Sequence, residues 1–548
     1  MRTTFLRRGR LCLILATTIA LASCAGKSRD GASATPGGQA TQYTQPAKAT
    51  AAIDRVTWAL RSEPTTLDSG RAVGGDSWSV LANVCESLVY QQPDGRTVPA
   101  LAESVSRPDD RTYVFTLRHG VRFFDGKLVT AEDVVFSLNR SRNPETGSFF
   151  AGYTDRVSSI EKTGADQITI KLSKPDAIFY QMLSTPLGHI LQKSYTQSRG
   201  TAYGTATGGV MCTGAYRVED WRKGDSITLE PNPDWWNRAN RPQLTQQAKF
   251  VFLSDGSTLT SALLNGDVDG TFFPAATAIP RLKQSTDGTV YFGPSSLLHS
   301  LVVAHSGGIL ADPKLRQAVA EIIDYKGIVR TAFQSAAEPL RAIAPPGSWG
   351  TQQAVYRPAY DALRQPEQDL DGARRLILES GVTNPALTLA VPGWLPEYRT
   401  FGETFQSDAR KAGLTVKLQL LQKADFLALF GDKSARAKVD LFYTDYFASI
   451  PDPTELYTQL GTGGGSINYS GYRNAEVTQL LEQARATADD AQRAELTVKA
   501  QGLIMKDRPW IPFASPYQLL YLNKRLGGAV NRSPAFMYWP WLPDVGKR

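Results

Sequence analysis

Strand patterns and helix patterns alternate along most of this chain, and that alternation restricts it to layered α/β architectures. Val56-Thr57-Trp58-Ala59-Leu60 is a short β-type run, and residues 113–117 and 167–172 alternate apolar and polar as half-buried strands do. A strand over 227–230 ends at the turn Pro231-Asn232-Pro233-Asp234. Helical spacing covers 76–88, and a helix after Thr130 presents Val134, Val135 and Leu138 on one face. Thr130 is a good N-cap, and Asp133 three residues on completes a near capping box. Beyond residue 305 the order is helix 315–329 behind Asp312-Pro313, helix 369–379, strand 387–391, helix 400–412 closed by Gly413, and strand 415–420. Strand 439–443 and helices 475–487 and 490–506 complete it, with no internal repeat. At 548 residues the chain exceeds what one hydrophobic core supports, so two or more domains are expected.

The first residues read as an address. Arg7, Arg8 and Arg10 precede an apolar stretch at 11–22, short for a permanent membrane span, which ends in Leu21-Ala22-Ser23-Cys24. That ending resembles the bacterial lipobox, in which the cysteine is acylated and becomes the new N-terminus. Residues 1–23 are therefore expected to be a lipoprotein signal, and Cys24 a lipid anchor at the outer face of the cytoplasmic membrane. The small, polar, Gly- and Pro-containing stretch that follows, counted as 24–50 with the anchor, is expected to be a flexible tether. The net charge of +8 falls to +4 once the four arginines of the first ten residues leave with the signal. No basic run interleaved with aromatics points to nucleic acid.

Of four cysteines, Cys12 leaves with the signal and Cys24 is the lipid site, leaving Cys85 and Cys212 in an oxidising compartment. An even pair there favours a disulfide, with two buried free thiols as the alternative. The four histidines (His119, His189, His299, His305) are scattered and no CxxC occurs, so no metal site or cofactor is expected. No Gly-x-Ser-x-Gly elbow and no His-Glu-x-x-His occurs either, which argues against a hydrolase.

A series of blocks then carries a family resemblance. They begin with Glu63-Pro64-Thr65-Thr66-Leu67-Asp68, then Asn83-Val84-Cys85-Glu86-Ser87-Leu88-Val89 and Pro99-Ala100-Leu101-Ala102-Glu103-Ser104. The strongest is Leu117-Arg118-His119-Gly120-Val121-Arg122-Phe123-Phe124-Asp125-Gly126 with Thr130-Ala131-Glu132-Asp133-Val134-Val135-Phe136-Ser137-Leu138. Thr213-Gly214-Ala215-Tyr216, Asn232-Pro233-Asp234-Trp235-Trp236 and Leu264-Asn265-Gly266-Asp267-Val268-Asp269-Gly270 follow. In this order they resemble the peptide/nickel/opine class of bacterial solute-binding proteins, family 5, nearly end to end. The resemblance implies a two-lobed type II periplasmic-binding-protein-like α/β fold that closes on a ligand. It implies lobe I over 51–304 with an extra subdomain at about 90–205, lobe II over 305–510, and a return to lobe I over 511–548. Crossovers are expected near 300–308 and 508–515. Read from the residues, the signature block itself is structural: a turn at Asp125-Gly126, a cap, and a core stripe.

The implied function is that of a monomeric, membrane-anchored receptor that passes a small peptide to the permease subunits of an ABC importer. An oligosaccharide, an opine-like metabolite or a metal chelate is the alternative ligand. In the peptide receptors this chain resembles, an Asp shortly before an Asp-Pro pair accepts the ligand's ammonium group. Counting back from Asp452-Pro453 puts Ser449 at that position, so either a rearranged loop lets Asp445 serve or the usual ammonium anchor is absent and other ligands stay open. Tyr446 and Phe447 beside it, Trp394, Tyr398 and Arg399 after a lobe II strand, Trp349, and Trp78 before the first helix are the other ligand candidates.

Overall fold

The computed structural model describes residues 43–548. The expected signal, the anchor Cys24 and most of the tether lie outside the described residues. Three sheets organise the rest. A seven-stranded sheet runs Gly288–Gly293, Gln518–Asn523, Gly270–Thr271, Val56–Leu60, Ala248–Phe252, Ser226–Pro231, Tyr216–Arg222. A six-stranded sheet runs Ala337–Pro339, Trp510–Pro516, Leu297–Val303, Leu441–Phe447, Ala386–Pro392, Thr415–Leu421. The chain passes from the first to the second between Gly293 and Leu297, and returns between Pro516 and Gln518. Two short connections thus join two lobes. Each lobe has its own core, with Trp58, Leu60, Phe250 and Trp541 in one and Leu301, Leu389, Leu441 and Phe513 in the other. Each such side chain, fully buried, contributes about 1.5–3 kcal/mol.

The third sheet is antiparallel: Ala102–Asp109, Thr112–Leu117, Gln167–Leu172 and Val157–Lys162. The helix Ala131–Arg142 packs on it through Val134 and Leu138. Its start is a full capping box: Thr130 Oγ1 accepts from Asp133 N at 3.3 Å, and Thr130 N donates to Asp133 Oδ2 at 3.0 Å. The rest of the signature block is structural as well. Asp125 accepts from Gln192 Nε2 at 2.9 Å, and Asp133 Oδ1 accepts from Lys193 N at 2.8 Å.

Three blocks far apart in sequence meet at one buried carboxylate. Glu86 accepts from Thr213 Oγ1 at 2.8 Å, Trp235 Nε1 at 2.9 Å and Trp236 Nε1 at 3.0 Å, and from the Tyr90 hydroxyl. Burial pushes its pKa up against those donors. Cys85 and Cys212 are joined by a disulfide beside this node. The recurrent blocks around 86, 213 and 235 therefore build a scaffold joint, since a buried charge persists only where donors surround it.

Several elements differ from their sequence patterns. The helix expected over 315–329 is two helices, Pro313–Ile322 and Tyr325–Thr331, because Asp324 caps the second by accepting from Gly327 N at 2.8 Å. The helix expected over 76–88 is Gly75–Val84, since Cys85 turns extended to reach Cys212. The strand expected over 439–443 is Leu441–Phe447, which carries the candidates Asp445, Tyr446 and Phe447 on regular strand backbone.

Candidate functional site

Parallel strands deliver their carboxyl ends to one edge of a sheet, and side chains beyond that edge are free to meet a ligand. In the second lobe Ala386–Pro392 pairs in parallel with both Thr415–Leu421 and Leu441–Phe447. The edge they share presents Gly393-Trp394 after one strand and Asp445, Tyr446 and Phe447 at the end of another. In the first lobe Val56–Leu60 runs parallel to Ala248–Phe252 and to Gly270–Thr271, so Arg61 and Phe273 follow directly on its edge. Arg61 lies over the Phe273 ring at 4.2 Å, and its backbone N donates to Asp76 Oδ1 at 3.0 Å.

The two edges face one another. Trp78 of the first lobe and Phe447 of the second lie 5.9 Å apart between ring centroids, and Phe149 stacks on Phe447 at 6.4 Å. Ile450 and Phe447 pack into the same apolar cluster as Trp78, Phe150 and Tyr538. The described conformation is therefore one with the lobes in contact.

Asp445 is exposed on this edge, and no ion pair among the described residues engages it. Its strand partner is His299, which is buried, bonded through Nδ1 to the Tyr443 hydroxyl at 2.6 Å, and held by burial down at about 4. Tyr398 stacks on Tyr443 at 4.2 Å. A neutral imidazole and two phenols thus stand behind Asp445. Trp394 is 39% exposed against Phe426, and Arg399 donates to the Gly393 carbonyl at 3.0 Å, tying the helix Pro396–Ala412 to the same loop.

Ser449 is buried, and its hydroxyl finds no partner among the described residues. Its backbone N donates to Glu455 Oε2 at 3.2 Å, and Tyr153 of the first lobe donates its hydroxyl to Glu455 Oε1. Burial pushes Glu455 up to about 7. A carboxylate does reach the Ser449 position, but from the following helix Pro453–Gly461 and beneath the surface. The sequence reading passed over Glu455, Arg61, Phe273 and Phe149. Glu455 looks like an ordinary first-turn acid, whereas its helix is buried throughout and Tyr153 of the other lobe bonds it. Trp349 is buried, donates to the Ala344 carbonyl at 3.2 Å, and stands in the wall of another cavity. Among the described residues no three His, Cys, Asp or Glu side chains converge on a point that would hold a metal ion.

A profile of the bacterial extracellular solute-binding proteins, family 5 (middle), matches residues 96–468. The chain belongs to this family. Family 5 proteins are the solute-binding components of ABC importers rather than enzymes, and the two-lobed fold is theirs. The chain is 25% identical over 504 residues to the dipeptide-binding protein DppE of Bacillus subtilis, covering 88% of this chain and 90% of that one. Two solved family 5 folds superpose closely. The periplasmic binding protein DppA of Helicobacter pylori, in complex with the peptide STSA, gives a TM-score of 0.77 at 22% identity, covering 91% of this chain and 98% of that one. The binding protein AgaA of A. tumefaciens R10, in complex with agropinic acid, gives 0.75 at 23% identity over 90% and 99%.

Proposed function

We propose that this family 5 protein captures a short peptide between the two facing sheet edges and presents it to an ABC permease. The observation that carries the reading is Asp445: an exposed, unpaired carboxylate on the cleft edge, backed by neutral groups. A peptide's ammonium group needs such a partner, because burying it unpaired is costly. Phe447 and the exposed Phe149 provide aromatic surface for a side chain beside it, over Trp78, which is itself buried, and the exposed Trp394 flanks the other end of the edge, while Tyr398 is buried behind it. The ligand names of the similar proteins, a dipeptide and a four-residue peptide, support the same class. Lipid attachment at Cys24 would hold the receptor beside its permease, with a tether that ends before residue 43 rather than at 50, since Thr44 N donates to the Phe292 carbonyl at 2.8 Å and Thr50 N to the Lys547 carbonyl at 2.7 Å. On this reading lobe I spans the chain up to Gly293 and again from Gln518, and lobe II lies between.

Calorimetry with di- to nonapeptides and their N-acetylated forms tests the reading. Free peptides bind, and acetylation or Asp445→Asn weakens binding by about tenfold or more, the loss of one charge-assisted contact. Equal binding of free and acetylated peptides rules out Asp445 as the anchor. Heat from an opine or a metal chelate alone moves the ligand class while leaving the receptor role in place.

A further inference from the structure

A sizeable cavity lies away from the facing edges. It lies between the third sheet and the second lobe and has a volume of about 690 Å³, within the range of small-molecule sites. Its walls are aromatic: Tyr113 and Tyr180 from the third sheet and its short helix Phe179–Met182, Trp349 and Tyr356 from the second lobe. Tyr113 and Tyr180 stack face to face at 6.4 Å, and Trp349 stacks on Tyr356 at 6.0 Å.

The carboxylates lining it, Asp452 and Asp490, are already committed. Arg493 donates to Asp452 at 2.8 Å and pairs with Asp490, while Asp452 also accepts from Thr454 N at 3.0 Å. Arg96 pairs with Asp94 at 2.7 Å, and Arg107 at the rim spreads over the Tyr113 ring at 4.6 Å. What remains is neutral hydrogen-bonding capacity. The hydroxyls of Tyr356 and Thr97 are buried atoms that find no partner among the described residues, and the amides of Gln181 and Gln352 line the same space. Tyr356 as a whole is 1% exposed, so its hydroxyl has no bulk water to fall back on.

We propose that this cavity is a second ligand site, separate from the peptide cleft, that takes a neutral saccharide. A sugar ring offers an apolar C–H face to aromatic rings and a rim of hydroxyls to amides and phenols, and the cavity supplies both. A peptide's ammonium terminus would find no uncommitted carboxylate here, which separates this site from the cleft. Walls drawn from both sides of the closure also mean that an occupant favours the closed form, which tightens the cleft's own ligand by linkage.

The test is calorimetry and tryptophan fluorescence on the purified protein with chitotriose, cellotriose and maltotriose. At least one trisaccharide binds the wild type and the Asp445→Asn variant alike. Tyr180→Ala and Gln181→Ala, both at half-buried positions, weaken it about tenfold, the loss of one good contact, with unchanged melting temperature. No binding by any of the three up to the limit of solubility overturns the proposal. So does binding that Asp445→Asn abolishes and Tyr180→Ala leaves intact, since the sugar would then be in the cleft. Peptide binding measured alongside reports on the cleft independently of either result.

Discussion

Glu455 carries a chemistry that its sequence position does not announce. A first-turn glutamate in water titrates near 4.3, whereas burial beside Tyr153 and Ser449 raises this one to about 7. Its folded pKa therefore lies above its unfolded value, and the native state holds the proton more tightly. The contribution is fully present below about pH 4.3 and is lost as pH rises toward 7, on the order of 3 kcal/mol in all. His299, held at about 4, acts in the opposite sense and loses stability as pH falls below its ordinary value. The difference between wild type and Glu455→Gln isolates the glutamate: the variant gains relative stability from pH 5 to 8, measured by denaturant unfolding. A constant difference across that range would mean that Glu455 is ionised throughout. Little of this was legible in sequence. Ser449 could be located by counting from Asp452-Pro453, but the carboxylate that reaches it comes from a fully buried helix and takes a hydrogen bond from a residue 302 positions away.

At the scale of elements, patterns set by local chemistry read well and boundaries set by tertiary contacts did not. The strands Val56–Leu60 and Gln167–Leu172 and the helix capped by Thr130 sit where alternation and capping place them. Strand Leu441–Phe447 extends beyond its apolar run because Leu297–Val303 pairs with it along its whole length, out to Phe447, and that partner is more than a hundred residues away. The disulfide is another such case, since it ends the helix Gly75–Val84 and holds it to the segment before Tyr216. A bridge closing a loop of this length, 127 positions, constrains the unfolded chain most, by roughly 2–4 kcal/mol. Cys85→Ser/Cys212→Ser is expected to lower unfolding stability by that amount while leaving peptide affinity nearly unchanged, because neither cysteine reaches the facing edges. An equal loss of affinity would mean that the Glu86 joint sets the position of the first-lobe edge.

At the scale of the molecule, the contacts that join the lobes away from the crossovers govern closure. Arg485, on the helix Ala475–Ala486 of the second lobe, bonds Asp155 at 2.9 Å and also Asp176, both from the third sheet's loops. Arg156 bonds Glu482 on the same helix at 2.7 Å. Arg485 and Asp176 are nearly dry in the closed form, where removing one partner costs about 3–5 kcal/mol because the other charge is stranded. If the third sheet travels with the first lobe, as its packing against Leu88, Val89 and Trp236 indicates, opening returns both groups to water and removes that penalty. The cost of Arg485→Ala then falls on the closed state and not on folding. Each 1.4 kcal/mol taken from the closed state weakens the ligand about tenfold once the open form dominates. The expected result is a melting temperature of the ligand-free protein within a few degrees of wild type, a peptide affinity weaker by about tenfold or more, and a larger radius of gyration in small-angle scattering. A collapsed melting temperature with unchanged affinity would place the third sheet with the second lobe and move the closing motion elsewhere. The outcome also bears on the aromatic cavity, whose two walls separate only if this interface opens.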